Sequence, residues 1–331
     1  MTSTVLDVLA IGNAIVDVIS QTDDDFLDRH GLEKGVMTLI DEAQAESLYA
    51  ETSARLEMSG GSAANTAAGI ASLGGRAAFI GRVKDDQLGE AFSRDLRAAG
   101  VAFDTPVAVG GPPTGRSLIL VTPDAQRTMN TYLGACADLE RDDVDPARIA
   151  AAEITYLEGY LWDREAAKIA FREAATTAEA AGRKVAFTLS DAYCVARWRH
   201  EFLELIAGYV NVLFANETEI LSLYETDELD EALVKVRGHC DIAAVTRSER
   251  GSILLADGDT YYVPAEPVEN VIDTTGAGDL YAAGVLYGLV TGRDMPTCGQ
   301  LGAIAAAEAI SHYGARPETP LKALVSEKLG Y

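Results

Sequence analysis

Ile154-Thr-Tyr-Leu157, Val185-Ala-Phe-Thr-Leu189, Val210-Asn-Val-Leu-Phe-Ala215 and Ile242-Ala-Ala-Val-Thr246 are four short, nearly continuous apolar runs. Each has the length of one strand, and the absence of alternation predicts strands covered on both faces. Helical stretches separate them at 164–181, 217–223 and 229–238. Strands alternating with helices of this length predict a mostly parallel sheet sandwiched by helices, an α/β fold. A further strand is expected over 252–255, and helices over 278–291 and 296–311.

Working back toward the N-terminus, Val5–Ile11 reads as a buried strand ending in the turn Gly12-Asn13, and Ile15–Ile19 as a second strand. Helices are expected over 41–56, over the small-residue segment 62–73, which Gly74-Gly75 stops, and over 87–99, with a strand at 77–80. The texture changes between Thr105 and Leu133. Strand-like segments at 107–109, 117–121 and 128–132 alternate there with Gly110-Gly-Pro-Pro113 and Pro123-Asp124. Such a meander predicts a small sheet standing off the main body. No tandem repeat is present.

The net charge of −24 excludes an extended nucleic-acid footprint, which needs a basic face. It also constrains any anion site to be compact and built largely from main-chain N–H groups. The four cysteines and four histidines have neither the C-x-x-C nor the H-E-x-x-H spacing, so a disulfide framework or a zinc site is not expected. Met1–Asp7 lacks the basic region of a signal peptide, and no run has the length of a membrane span, so the expected location is cytoplasmic.

The chemistry concentrates in Asp273-Thr-Thr-Gly276-Ala277-Gly278-Asp279-Leu-Tyr-Ala-Ala-Gly284, which follows Val271-Ile272 and opens a helix. Two glycines let main-chain N–H groups converge, and the helix N-terminus adds partial positive charge at the same point. The result is an anion hole for a transferring phosphoryl group, formed by Gly276, Ala277 and Gly278. Asp279 is then placed to accept the proton of a substrate hydroxyl. An ordinary acidic helix start explains four of these residues equally well, but not the whole segment.

This segment resembles the C-terminal signature of the ribokinase family, also called the phosphofructokinase B family. The N-terminal signature is matched by Gly60-Gly-Ser-Ala-Ala-Asn65-Thr-Ala through Gly74, and by Ile80-Gly-Arg-Val-Lys-Asp-Asp86-Gln-Leu-Gly89. The resemblance spans the chain. It implies a single ribokinase-like domain over 1–331: a doubly wound α/β core with a small β-sheet lid built from about 14–40 and 105–133. It further implies ATP and Mg²⁺, with an acceptor bound between lid and core by Asn13, Asp17, Gly60, Gly61 and Asn65. Helix and turn capping is the plainer alternative for Asn65, whereas Asp17 is a charge in an apolar strand that needs a partner.

Asn216-Glu-Thr-Glu219 resembles the family's N-x-x-E element, in which Glu219 acts on Mg²⁺ through water and Asn216 lies near the nucleotide; an N-capped helix fits the same residues. Thr246 to Gly251 corresponds to the nucleotide loop, with Ser248 where the family has glycine. The resemblance also places Thr275 and Gly278 at ATP, residues 305–317 at the adenine, and K⁺ at the Asp273 and Thr275 carbonyls. Arg127 is the candidate side chain for the ATP phosphates, or else a solvated hairpin arginine.

Gly12-Asn-Ala-Ile-Val-Asp17, Pro113-Thr-Gly115, Leu189-Ser-Asp191 and Phe214–Glu219 bring the chain nearest to adenosine kinases, with Tyr160 or Leu161 in the position that stacks the purine. The expected reaction is adenosine + ATP → AMP + ADP. The alternatives are a ribose, fructose or 2-keto-3-deoxygluconate kinase, and a non-catalytic nucleoside-binding protein. Lids of this family serve both closure and dimerisation, leaving monomer and homodimer open. No G-x-G-x-x-G follows the first strand and no P-loop is present, which disfavours an oxidoreductase or a P-loop kinase.

Overall fold

The computed structural model describes residues 5–52, 56–124 and 126–330; residues 1–4, used above to exclude a signal peptide, lie outside them. The apolar runs form the centre of a nine-stranded sheet. In spatial order its strands are Asp259–Val263, Ser252–Ala256, Ile242–Thr246, Val212–Asn216, Lys184–Thr188, Ala152–Glu158, Leu6–Ile11, Ala77–Ile80 and Ala102–Phe103. All neighbours pair in parallel except the two pairings involving Ser252–Ala256, which are antiparallel.

Period-two side-chain alternation divides each central strand between two cores. Val8 and Ala10 face one core, which holds Phe79, Phe92 and Phe103, whereas Leu9 and Ile11 face the other, around Trp162, Phe171, Phe187 and Phe202. Helices Ser62–Leu73, Gln87–Ala98, Ala277–Val290 and Met295–Ala309 cover the first face, with Glu165–Ala180, Ala192–Tyr209, Glu217–Tyr224 and Leu229–Val236 on the second. The fold class is the α/β sandwich expected from the sequence.

Small residues in Ser62–Leu73 serve close packing: a Cβ on Gly69 would lie 2.7 Å from Ala283 and from Leu280 of the Ala277–Val290 helix. That contact brings the two helix N-termini together, and both open onto the same place.

A second, five-stranded sheet runs Met37–Leu39, Arg127–Tyr132, Gly115–Val121, Ile15–Gln21, Leu56–Gly60. Leu56–Gly60 was not expected, because Leu56-Glu-Met-Ser-Gly60 carries little apolar signal and follows a helical stretch. The helix expected over 41–56 is instead Glu42–Glu51, and the strand gains its order from antiparallel pairing with Ile15–Ile19. Residues 107–109 form no strand; Ala108 makes one isolated bridge to Lys84. One face of the small sheet packs under helices Asp24–His30 and Glu42–Glu51, burying Val16, Val18, Leu27, Leu48 and Leu118. The other face looks toward the C-terminal ends of the parallel strands.

Candidate active site

Open α/β sheets bind ligands beyond their strand C-termini. Here those ends and the inner face of the small sheet enclose a cleft of about 1480 Å³, large enough for two small substrates. Asn13, Asp17, Gly61, Asn65, Tyr160, Asn216, Glu219, Thr246, Gly251, Thr275, Gly276, Ala277, Gly278 and Asp279 all line it. Gly60, Arg127 and Asp273 do not.

The helix Ala277–Val290 starts at Gly276, whose φ of 78° is left-handed. A Cβ there would press to 2.4 Å from the Ala315 Cβ, so local packing requires the glycine. Gly278 differs, since a Cβ on it would meet nothing within 4 Å. Its missing side chain leaves room in the cleft at the point where first-turn N–H groups have no intrahelical acceptor. One residue on, the Asp279 carboxylate accepts from Ser62 Oγ (2.6 Å) and Asn65 Nδ2 (2.9 Å). Burial raises its pKa, partly opposed by these two hydrogen bonds and by the charge of Arg316. Asn65 is therefore a partner of Asp279 in this structure.

Of the further acids that line the cleft, Asp17, Glu158 and Glu219 are raised by burial. Burial pushes the Asp17 carboxyl up to about 7 against the pull of Arg316 and Arg127. Among the described residues Asp17 has no hydrogen-bond partner, and Gly60 lies against it: a Cβ on Gly60 would fall 2.4 Å from Asp17 Oδ2. Glu158 was not singled out by the sequence patterns, although it too is a charge ending an apolar strand. It accepts from Asn13 Nδ2 (2.8 Å) and Ala63 N (2.8 Å), and burial raises it to about 7. Cys136 donates to Asn13 Oδ1 at 3.0 Å, so the Asn13 amide is fixed from two sides. Glu219, raised to about 7 by burial, forms a reciprocal capping box with Asn216.

Arg127 reaches from the small sheet to the Asp273 carboxylate and to Thr275 Oγ1 (3.2 Å), under the ring of Tyr313. Asp273 also accepts from Thr275 N and Oγ1 and from Gly314 N. Its charge is thus already met by protein groups, and a monovalent cation here would be left with main-chain carbonyls. Ser248 stands where the family has glycine and adopts φ 53°. Ser248→Gly is expected to raise the unfolding free energy by about 0.5–1 kcal/mol by removing left-handed strain, with kcat unchanged. Denaturant unfolding and a rate assay check both.

Among the described residues no group of three His, Cys, Asp or Glu is arranged to hold a metal directly. Glu219, in the cleft with Asp191 and Asp279 near enough to act on it through their charge, fits Mg²⁺ that arrives hydrated on a nucleotide. No helix among the described residues is long and apolar enough to cross a membrane.

The cleft can meet charge on a transferring group with main-chain N–H groups, and it can take one proton with a carboxylate beside them. This is the chemistry of an ATP-dependent phosphotransferase acting on a hydroxyl group. Residues 36–322 match the pfkB family carbohydrate kinase, and the chain belongs to that family. It is 49% identical to a probable sugar kinase protein from Rhizobium etli CFN 42, with TM-score 0.92 over 99% of both chains. Against the adenosine kinase from Sinorhizobium meliloti the identity is 52% and the TM-score 0.90, over 97% of this chain and 99% of that one. A curated relative, 5-dehydro-2-deoxygluconokinase of Shouchella clausii, is 27% identical over 347 residues, 97% of this chain and 96% of its own. As a member of this family of carbohydrate and nucleoside kinases, the chain uses ATP, which the family usually takes with Mg²⁺, to phosphorylate a hydroxyl group.

Proposed function

We propose that the acceptor is adenosine and the reaction adenosine + ATP → AMP + ADP. The observation that carries this is the apolar wall of the cleft. Ile15, Met37, Leu39, Met129 and Leu133 line it from the small sheet, with Met37 43% and Leu39 50% exposed. A nucleobase laid on these side chains removes them from water, whereas a free sugar leaves them wet. The unpartnered Asp17 carboxylate suits ribose hydroxyls in the same acceptor. A sugar acid needs a cation for its carboxylate. Among the described cleft residues Arg197 is the single basic one, and it already pairs with Asp163 at 3.2 Å. The likeness to the adenosine kinase from S. meliloti supports the same choice.

In this reading the five-stranded sheet is a lid, closing over an acceptor held by Asn13, Asp17, Gly61 and Tyr160. Asp279 accepts the proton of the attacking hydroxyl as its oxygen bonds to the γ-phosphorus, and the bridging oxygen leaves with ADP. Mg²⁺ neutralises phosphate charge, with Glu219 in contact through water. Asn216, Thr246, Gly251 and Thr275 line the nucleotide end. K⁺ on the Asp273 and Thr275 carbonyls remains a separate element of the proposal, checked by assays in potassium, sodium and choline salts. Helices over the outer face of the lid support a monomer, and four free cysteines suit the cytoplasm.

The test is a panel of adenosine, other nucleosides, ribose, fructose, 2-keto-3-deoxygluconate and 5-dehydro-2-deoxygluconate under saturating ATP. Adenosine should have the highest kcat/KM. Efficient turnover of a free sugar or sugar acid, with none of adenosine, sinks the proposal and favours the reading suggested by the Shouchella clausii relative.

A further inference from the structure

Arg316 lies on the loop after the Met295–Ala309 helix, inside the stretch 305–317 expected at the adenine, but it does not line the cleft. Its Nε donates to Ser59 O (3.1 Å), Nη2 to Ser59 Oγ (3.1 Å) and Nη1 to Ala64 O (2.5 Å). Among the described residues no carboxylate lies within ion-pair distance of it. A guanidinium held only by neutral acceptors is costly unless charges further off repay its desolvation.

Two features locate those charges. Ser59 precedes Gly60, where a Cβ would fall 2.4 Å from Asp17 Oδ2, and Ala64 precedes Asn65, which donates to Asp279. The three acceptors of Arg316 also straddle Gly60-Gly61, the link between the last strand of the small sheet and the Ser62–Leu73 helix. Gly61 has a φ of 92°, and a Cβ there would strike Asn13 O at 2.1 Å, so this link requires glycine and packs its backbone directly on Asn13.

We propose that Arg316 is a positioning residue: it supplies a fixed positive charge behind Asp17 and Asp279 and bolts the small sheet to the core across Gly60-Gly61. The charged groups that Arg316 feels are Asp17, Asp279 and Asp95. Asp17 also feels Arg127, Asp279 and Asp273, while Glu158 and Glu219 feel Asp279. Acidic neighbours thus outnumber cations around the two acids. Without Arg316 both would hold their protons to higher pH, and a protonated Asp279 cannot serve as base.

The proposal rests on Asp279 as the base. Its test is the pH profile of kcat/KM for ATP-dependent turnover of adenosine, or of the best acceptor in the panel. The proteins are wild type, R316Q, R316M and R316K, with folding verified by circular dichroism. The acid limb should move up by about one pH unit in R316Q and R316M and stay in place in R316K, while all three lose thermal stability. An unmoved limb in folded R316Q and R316M overturns the proposal, as does an equal shift in R316K. Failure of both uncharged variants to fold, with R316K folded and its limb in place, assigns Arg316 a purely structural part and overturns it as well. A wild-type profile with no acid limb, or an active D279N protein, refutes the base assignment instead.

Discussion

Asp279→Asn lowers kcat by about 10³-fold, within the range for loss of a positioned general base, and leaves the fold intact. Asparagine can keep both local bonds, donating from Nδ2 to Ser62 Oγ and accepting at Oδ1 from Asn65. What it cannot do is take a proton. The same substitution should stabilise the protein at neutral and alkaline pH. Burial raises the pKa of Asp279 in the folded state, so its contribution to stability is full below the unfolded pKa and is lost as pH rises through the folded one. The Tm of D279N should therefore exceed that of wild type at pH 8, with the gap closing in acid. A kcat within tenfold of wild type would place the base elsewhere. A Tm gap that widens toward acid would contradict the direction of the shift.

The alternation of apolar runs and helices was legible because parallel strands buried on both faces need little beyond continuous hydrophobicity. Ile242–Thr246 starts and stops where its residues say it should. Leu56–Gly60 was illegible for the opposite reason: its strand character resides in pairing with Ile15–Ile19, not in its own side chains. The long helix Ala192–Tyr209 carried a start signal in Asp191, which accepts from Cys194 N, but its pattern is broken by the non-helical backbone at Trp198.

Within the cleft, the placement of residues at a glycine turn was readable: Asp279 and Gly278 both line it. Residues held by distant neighbours were not readable. Glu158 is held by Asn13 and Ala63, and Arg316 by Ser59 and Ala64, contacts that only folding creates. From the sequence Arg127 reads as a contact for the ATP phosphates or else a solvated hairpin arginine; its attachment to Asp273 was not foreseeable.

Gly278→Ala separates stability from catalysis in the other direction. A methyl group at 278 meets no protein atom, and alanine is favoured over glycine within a helix by up to about 1 kcal/mol. The Tm should hold or rise. The methyl nevertheless projects into the space beside the first-turn N–H groups, where the transferring phosphoryl oxygens must approach to about 3 Å. The expected loss in kcat is about 10²–10³-fold, the scale of one removed oxyanion-hole donor. Gly276→Ala is the control: its left-handed φ and the Ala315 contact make it lose stability, which confounds any loss of rate. If G278A keeps wild-type turnover, the phosphoryl group does not pass over this helix end, and the anion hole must be sought elsewhere in the cleft. A stable, inactive G278A would instead mean that the position is kept free of a side chain for the ligand alone.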